Sequence, residues 1–112
     1  MRAAHHELCF GCGLANVFGL GLEAERDEAG TVRGRFFVKQ DHQGADGRAH
    51  PGIVAAALVE ALTLAAGEPP SAVSLELARS AAVGTFVGIE ATASAAQARA
   101  EDGALIASAR NG

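Results

Sequence analysis

Tryptophan and tyrosine are absent from this chain of 112 residues, and five phenylalanines are its only aromatic residues. A core without large rings must be filled by alanine, valine and leucine, and small side chains let a sheet approach a helix closely. Positive charge is also scarce: nine Lys and Arg against thirteen Asp and Glu give a net charge of −4. That balance argues against a nucleic-acid partner, which selects a basic face. No lysine cluster or basic amphipathic stretch points to a membrane surface. The longest apolar run, Ile53 to Ala66, is shorter than the roughly 20 residues a bilayer requires. The opening Met1-Arg2-Ala3-Ala4-His5-His6 lacks the apolar stretch of a signal peptide, so the protein is expected to be cytoplasmic, and its two cysteines reduced. Without repeats, linkers or low-complexity tracts, residues 1–112 read as one domain, small enough that pairing with a second copy would help its stability.

What is present centres on His42-Gln43-Gly44-Ala45-Asp46-Gly47-Arg48-Ala49-His50-Pro51-Gly52, a glycine-punctuated polar loop that runs into the apolar segment. Proline in a first helical turn loses no hydrogen bond and presets φ, so Pro51 marks a helix start. Only Glu60 and Thr63 interrupt the apolar surface that follows, so the helix should be wrapped by other elements. Gly67-Glu68-Pro69-Pro70 closes it.

Period-two alternation accounts for most of the remainder. Leu20 to Glu25 and Val32 to Val38 read as strands joined by the turn Asp27-Glu28-Ala29-Gly30. Beyond the helix, Val73, Leu75 and Leu77 alternate with Ser74 and Glu76. Val87, Ile89, Ala91 and Ala93 share a face opposite Glu90, Thr92 and Ser94. Ala96 to Glu101 alternates again, and Asp102-Gly103 is a favoured hairpin turn into Ala104 to Arg110. The order is two strands, one long buried helix and three or so antiparallel strands, an α+β domain with the sheet curled around the helix.

Two motifs in the right order resemble a known family. Cys9-Phe10-Gly11-Cys12-Gly13 leading to Asn16-Val17-Phe18-Gly19-Leu20-Gly21-Leu22 is similar to the opening of hotdog-fold acyl-CoA thioesterases. The spacing of His42-Gln43-Gly44, Gly47, His50 and Gly52 resembles the same family's His-Gln-Gly-x-x-Gly-x-x-His-Gly-Gly stretch. Leu75 to Gly84 falls in register with a family strand, with Ser80 in place of its proline. The resemblance implies a hotdog fold that assembles as a homodimer or homotetramer, with acyl-CoA as small-molecule substrate and neither cofactor nor metal. Its sites lie at the subunit boundary, where the helix N-terminus faces the thioester carbonyl and a helical carboxylate assists attack by water. Free N–H groups and the helix dipole suit a developing oxyanion.

Two positions depart from the family. Pro51 stands where a glycine N–H is usual, which shifts the oxyanion role to Gly52 and Ile53. Val59 stands where the carboxylate is usual, and Glu60 is one step, about 100°, further round the helix. The residues expected to carry chemistry are therefore Gly52 as donor, His50 and Gln43 as positioning groups, and Glu60 or Asp46 as base. His42, Gly44, Gly47, Ile53 and Arg79 are expected to bind substrate, with Lys39 a further cation for coenzyme A phosphates. The alternative is a silent hotdog that binds acyl thioesters without turnover. Cys9 and Cys12, with His5 and His6, have zinc-knuckle spacing. All four lie in one local stretch, however, so a tight glycine-lined turn holding thiols, without metal, is expected.

Overall fold

Proline at the first helical position, a ring acceptor before it and a glycine after the last turn delimit α1 (Pro51–Ala66) in the computed structural model, which describes residues 1–112. His50 is the N-cap, and Gly67 closes the helix at φ +86°, its N–H donating to the Thr63 carbonyl. Thr63 is tolerated in the apolar helix because its hydroxyl bonds back to the Val59 carbonyl at 2.8 Å. Val54, Ala57, Leu58, Ala61, Leu62, Leu64 and Ala65 are buried, so the helix is enclosed on most sides, as its composition demands.

The enclosure is one antiparallel sheet of seven strands: β1 (Arg2–Ala3), β2 (Glu23–Arg26), β3 (Val32–Phe37), β4 (Val73–Leu77), β5 (Phe86–Ala91), β6 (Ala95–Arg99) and β7 (Leu105–Asn111). Their spatial order is β1-β2-β3-β5-β6-β7-β4. Alternation sets the inner face: Val32 and Phe36, Val87, Ile89 and Ala91, Ala96 and Ala98, and Ala107 and Ala109 are buried against α1, and Ile106 is buried at the register shift opposite Ala98 and Arg99. The alanines at these positions and at Ala57, Ala61 and Ala65 bring helix and sheet close together. Leu58 and Leu62 fill the remaining space, each adding about 1.5–3 kcal/mol of burial. Gly34 lies so near the Glu23 carbonyl and Ala24 of β2 that no side chain fits.

Three boundaries differ from the alternation pattern. Leu20 and Leu22 are buried but lie outside β2, because their N–H groups bond to the carbonyls of Phe10 and Gly11 and Gly21 adopts φ +62°. β5 stops at Ala91, since Thr92 turns back to bond Ala95. β6 ends at Arg99, where Ala100 and Gly103 start the turn that the Asp102 carboxylate caps through the Ala104 N–H. Four strands follow the helix, and β4 is left at an open edge of the sheet. No helix is long and apolar enough to cross a membrane.

Candidate active site

The loop before α1 is a small structure bonded to itself. A one-turn 3-10 helix, Gln40–His42, precedes it. The Gln43 side-chain oxygen accepts the Gly47 N–H at 2.6 Å, Gly44 N–H bonds the Arg48 carbonyl, and Ala49 N–H bonds the Ala81 carbonyl. Gly47 sits at φ +74°, a conformation that a side chain would strain. Gly44 packs on His50, whose Cα would lie 3.0 Å from an added Cβ. Gln43, Gly44 and Gly47 thus shape the loop, and Asp46 is exposed at its turn between Ala45 and Gly47.

His42 differs from its expected role. Its ring is 2% exposed, packs edge-on against Phe36 and accepts the Lys39 N–H at Nδ1, so it is core beneath the loop and not an open ligand. Nε2 is buried without a hydrogen-bond partner. Burial holds its pKa below the usual imidazole value; the Gly19 backbone partly opposes this, and the Lys39 charge adds to it.

At the helix start the expected oxyanion donors are engaged. Pro51 has no N–H. Gly52 N–H donates to Nδ1 of His50 at 2.9 Å, and Ile53 N–H donates to the His50 carbonyl at 2.9 Å. His50 is exposed and its own N–H bonds the His42 carbonyl. Ala49 and Pro51, on either side of it, line a cleft of about 260 Å³ together with Val54, Leu77, Arg79 and Ile106. Six of the nine lining residues are apolar, which suits an acyl chain, with the Arg79 guanidinium as the charged group. A hollow of about 250 Å³ on the outer sheet face, among Arg33, Glu90 and Arg99, has one apolar lining residue and does not suit such a chain. Arg79 is half exposed and lies 4.0 Å from Asp102. Ile53 packs on the core and does not line the cleft. The Lys39 ammonium donates to the Val17 carbonyl at 2.9 Å.

Glu60 is eight residues along α1 from Gly52, about 12 Å of axial rise. Its carboxylate belongs to a different group: Oε2 lies 2.9 Å from Nδ1 of His5 and 3.4 Å from the Cys9 sulfur. The Cys12 sulfur is 3.5 Å from the same His5 nitrogen. His6 stands outside the group, its Nδ1 accepting the Leu8 N–H. A hydrogen bond to Cys9 is the main cause of a raised His5 pKa, and the Glu60 charge adds to it. Burial opposes ionisation of Cys9, but backbone N–H groups of Cys12 and Gly11 and the His5 ring hold its thiol below the usual value. Burial, then the neighbouring Glu60 carboxylate, push the Cys12 thiol up to about 12. The sequence pattern missed Glu60 as their neighbour because no local spacing connects residues 51 positions apart.

The same layout of helix and sheet occurs in a thioesterase superfamily protein, RHA08564, at TM-score 0.76 and 22% identity over 87% of this chain. The fold is the hotdog. The present chain spans 57% of the length of that protein. Another hotdog, the Escherichia coli PaaI protein of the phenylacetic acid degradation operon, aligns at TM-score 0.73 and 15% identity, covering 81% of this chain and 80% of its own. A third, smu.793 from Streptococcus mutans UA159 bound to acetyl CoA, aligns at TM-score 0.67 and 15% identity over 79% and 82% of the two chains. No protein-family model matches this hotdog chain, and no curated protein matches it.

Proposed function

We propose that this hotdog chain is a cytoplasmic, homodimeric or homotetrameric acyl-CoA thioesterase that hydrolyses an acyl thioester to a carboxylic acid and free coenzyme A. The observation that carries this reading is the apolar cleft opening at the amide end of α1, between Pro51, Val54 and Leu77, with Arg79 beside it. The acetyl-CoA ligand of a hotdog neighbour supports the choice of thioester.

His50 is the central group. Its Nδ1 now occupies the acceptor position that a thioester carbonyl would take on the Gly52 N–H. Rotation of this exposed ring frees both partners: Gly52 N–H for the carbonyl oxygen, and the imidazole for water. Water adds to the thioester carbon while its proton passes to His50, and the oxyanion rests on Gly52 at the positive helix end. Collapse of the intermediate breaks the carbon–sulfur bond, and His50 returns the proton to the leaving thiolate. Gln43 and the Gly44 and Gly47 turns hold the loop, and Arg79 offers a guanidinium to coenzyme A phosphates.

A second reading, thioester binding without turnover, is favoured by one observation: in the first turn Pro51 has no N–H, and the Gly52 and Ile53 N–H groups are already bonded to His50. A panel of short, aromatic and long-chain acyl-CoAs, followed by thiol detection and calorimetry, separates the two. Thiol release supports the enzyme, binding without release supports the silent module, and absence of both removes the cleft as a thioester site.

A further inference from the structure

Four side chains that the hydrolytic cleft does not use converge on one point. The imidazole of His5, the sulfurs of Cys9 and Cys12 and the carboxylate of Glu60 place one ligand atom each within 4.8 Å of one another. The separations are 2.9 Å for His5 to Glu60, 3.4 Å for Cys9 to Glu60, 3.5 Å for Cys12 to His5 and 3.8 Å for Cys9 to His5. A tetrahedral zinc with bonds of about 2.0–2.3 Å requires ligand-to-ligand edges of roughly 3.3–3.8 Å. Three of these four separations fall within that span, and the remaining two edges, Cys9 to Cys12 and Cys12 to Glu60, lie within 4.8 Å. The shortest, the direct His5 to Glu60 contact, would open by a few tenths of an ångström around an ion.

We propose that His5, Cys9, Cys12 and Glu60 form a structural zinc site that fastens the N-terminal segment to the middle of α1. Two sulfurs, one imidazole and one carboxylate are a donor set for a borderline-soft ion, and hard magnesium or calcium would need oxygens in their place. With only two thiolates, an iron–sulfur cluster is not supported. The surrounding backbone is shaped to the group. A Cβ on Gly11 would lie 2.5 Å from both Cδ and Cγ of Glu60, so glycine there leaves the Glu60 side chain room to face the two sulfurs. Gly13 lies against the Cys9 backbone with equally little room. The His5 N–H donates to the Cys12 sulfur at 3.1 Å, and backbone N–H groups of Gly11 and Cys12 face the Cys9 sulfur. Such N–H to sulfur bonds are the outer support that thiolate ligands of a metal use.

The ligand set also removes the objection raised by sequence alone. With His6 the four ligands are all local; with Glu60 in its place the site joins two segments 48 or more residues apart. Four protein ligands leave no open coordination position, so the ion holds structure and activates no water. The proposal does not depend on whether the cleft hydrolyses thioesters, and it assigns Glu60 to the N-terminal clamp instead of the general-base role.

The test is elemental analysis of the full chain, purified without a polyhistidine tag from zinc-supplemented cells. The expected result is about one zinc per chain after gel filtration, and cobalt exchanged into the site should give a thiolate charge-transfer band with the visible spectrum of tetrahedral cobalt. Cys12→Ser and Glu60→Gln should each weaken zinc binding at least tenfold, the least that even outer-shell changes cause. Glu68→Gln, on the exposed turn after α1, should leave it unchanged. If the serine variant does not fold by circular dichroism, Glu60→Gln and His5→Ala provide the same comparison with both thiols in place. Metal-free protein with no cobalt band, zinc retained undiminished in these variants, or a Cys9–Cys12 disulfide in the purified protein would each overturn the proposal.

Discussion

Nδ1 of His50 accepts the N–H of Gly52 at 2.9 Å, so the residue that caps α1 also covers the donor on which thioester hydrolysis would depend. His50→Ala separates the two functions. Removing a cap costs about 0.5–2 kcal/mol, read as a lower urea midpoint with an unchanged slope. If the ring is also the base, kcat falls by about 10²–10⁴-fold and added imidazole restores part of it. Lost stability with unchanged kcat would leave His50 as a cap alone.

Gly11 makes a second prediction from close approach. Because a Cβ there would collide with the Glu60 side chain, Gly11→Ala must displace that carboxylate from the sulfurs or move the Cys9 to Cys12 turn away from α1. Overpacking of this kind costs roughly 1–3 kcal/mol. Gly30→Ala, where a Cβ would make only ordinary contact with the Arg26 side chain but φ is +89°, gives the comparison in which backbone strain acts without a clash. Chemical denaturation of both variants checks the difference: Gly11→Ala should also increase thiol reactivity of Cys9 and Cys12, and Gly30→Ala should not.

His42 gives a pH dependence with a definite sign. Its folded pKa lies below the unfolded value of about 6.5, chiefly from burial, with Lys39 adding to the effect while the Gly19 backbone and Asp41 oppose it. As pH falls the unfolded chain therefore takes up the proton first. The contribution is complete above about pH 6.5 and is lost as pH drops towards the folded pKa, by at most about 1.4 kcal/mol per pH unit. In the metal-free chain His5, whose pKa is raised, acts in the opposite direction, losing its contribution as pH rises. The comparison must therefore be wild type against His42→Gln, with unfolding free energies at pH 7.5 and 5.5. The variant should show the smaller decline on acidification; equal declines would mean that His42 is not the group responsible.

The central helix and most strands are legible in the sequence because their signals are local: proline and glycine at the ends of α1, and alternation in β3 to β7. What escapes are relations without a local pattern. The side chain of His50 as N-cap is one, since serine, threonine, asparagine and aspartate are the residues usually read as caps. His42 is another: loop glycines suggest ligand access, but Phe36 and the Lys39 N–H draw the ring inward. The approach of Glu60 to Cys9 is the clearest case, because the chain must fold before those residues meet. Even there a trace exists, in the glycines at positions 11 and 13 that only a crowded turn requires.

The open edge formed by β4 leads to the last prediction. Val73, Leu75 and Leu77 alternate with Ser74 and Glu76, yet Leu75 and Leu77 remain 41% and 55% exposed, and only β7 pairs with the strand. An unpaired apolar edge is a template for another strand, and natural sheets ordinarily blunt one with charge, proline or a bulge. Pairing β4 with its counterpart across a two-fold axis would satisfy the free backbone groups and cover both leucines in one self-complementary contact. Leu75→Lys would place like charges near that axis while leaving the cleft residues Leu77 and Arg79 unchanged. Sedimentation should then show the 11.3 kDa monomer in place of a dimer, with thioester affinity falling in parallel if the cleft is completed by the second copy. A variant that sediments with the wild type would remove β4 as the pairing edge, and a monomer that binds thioester normally would show that one chain suffices to build the cleft.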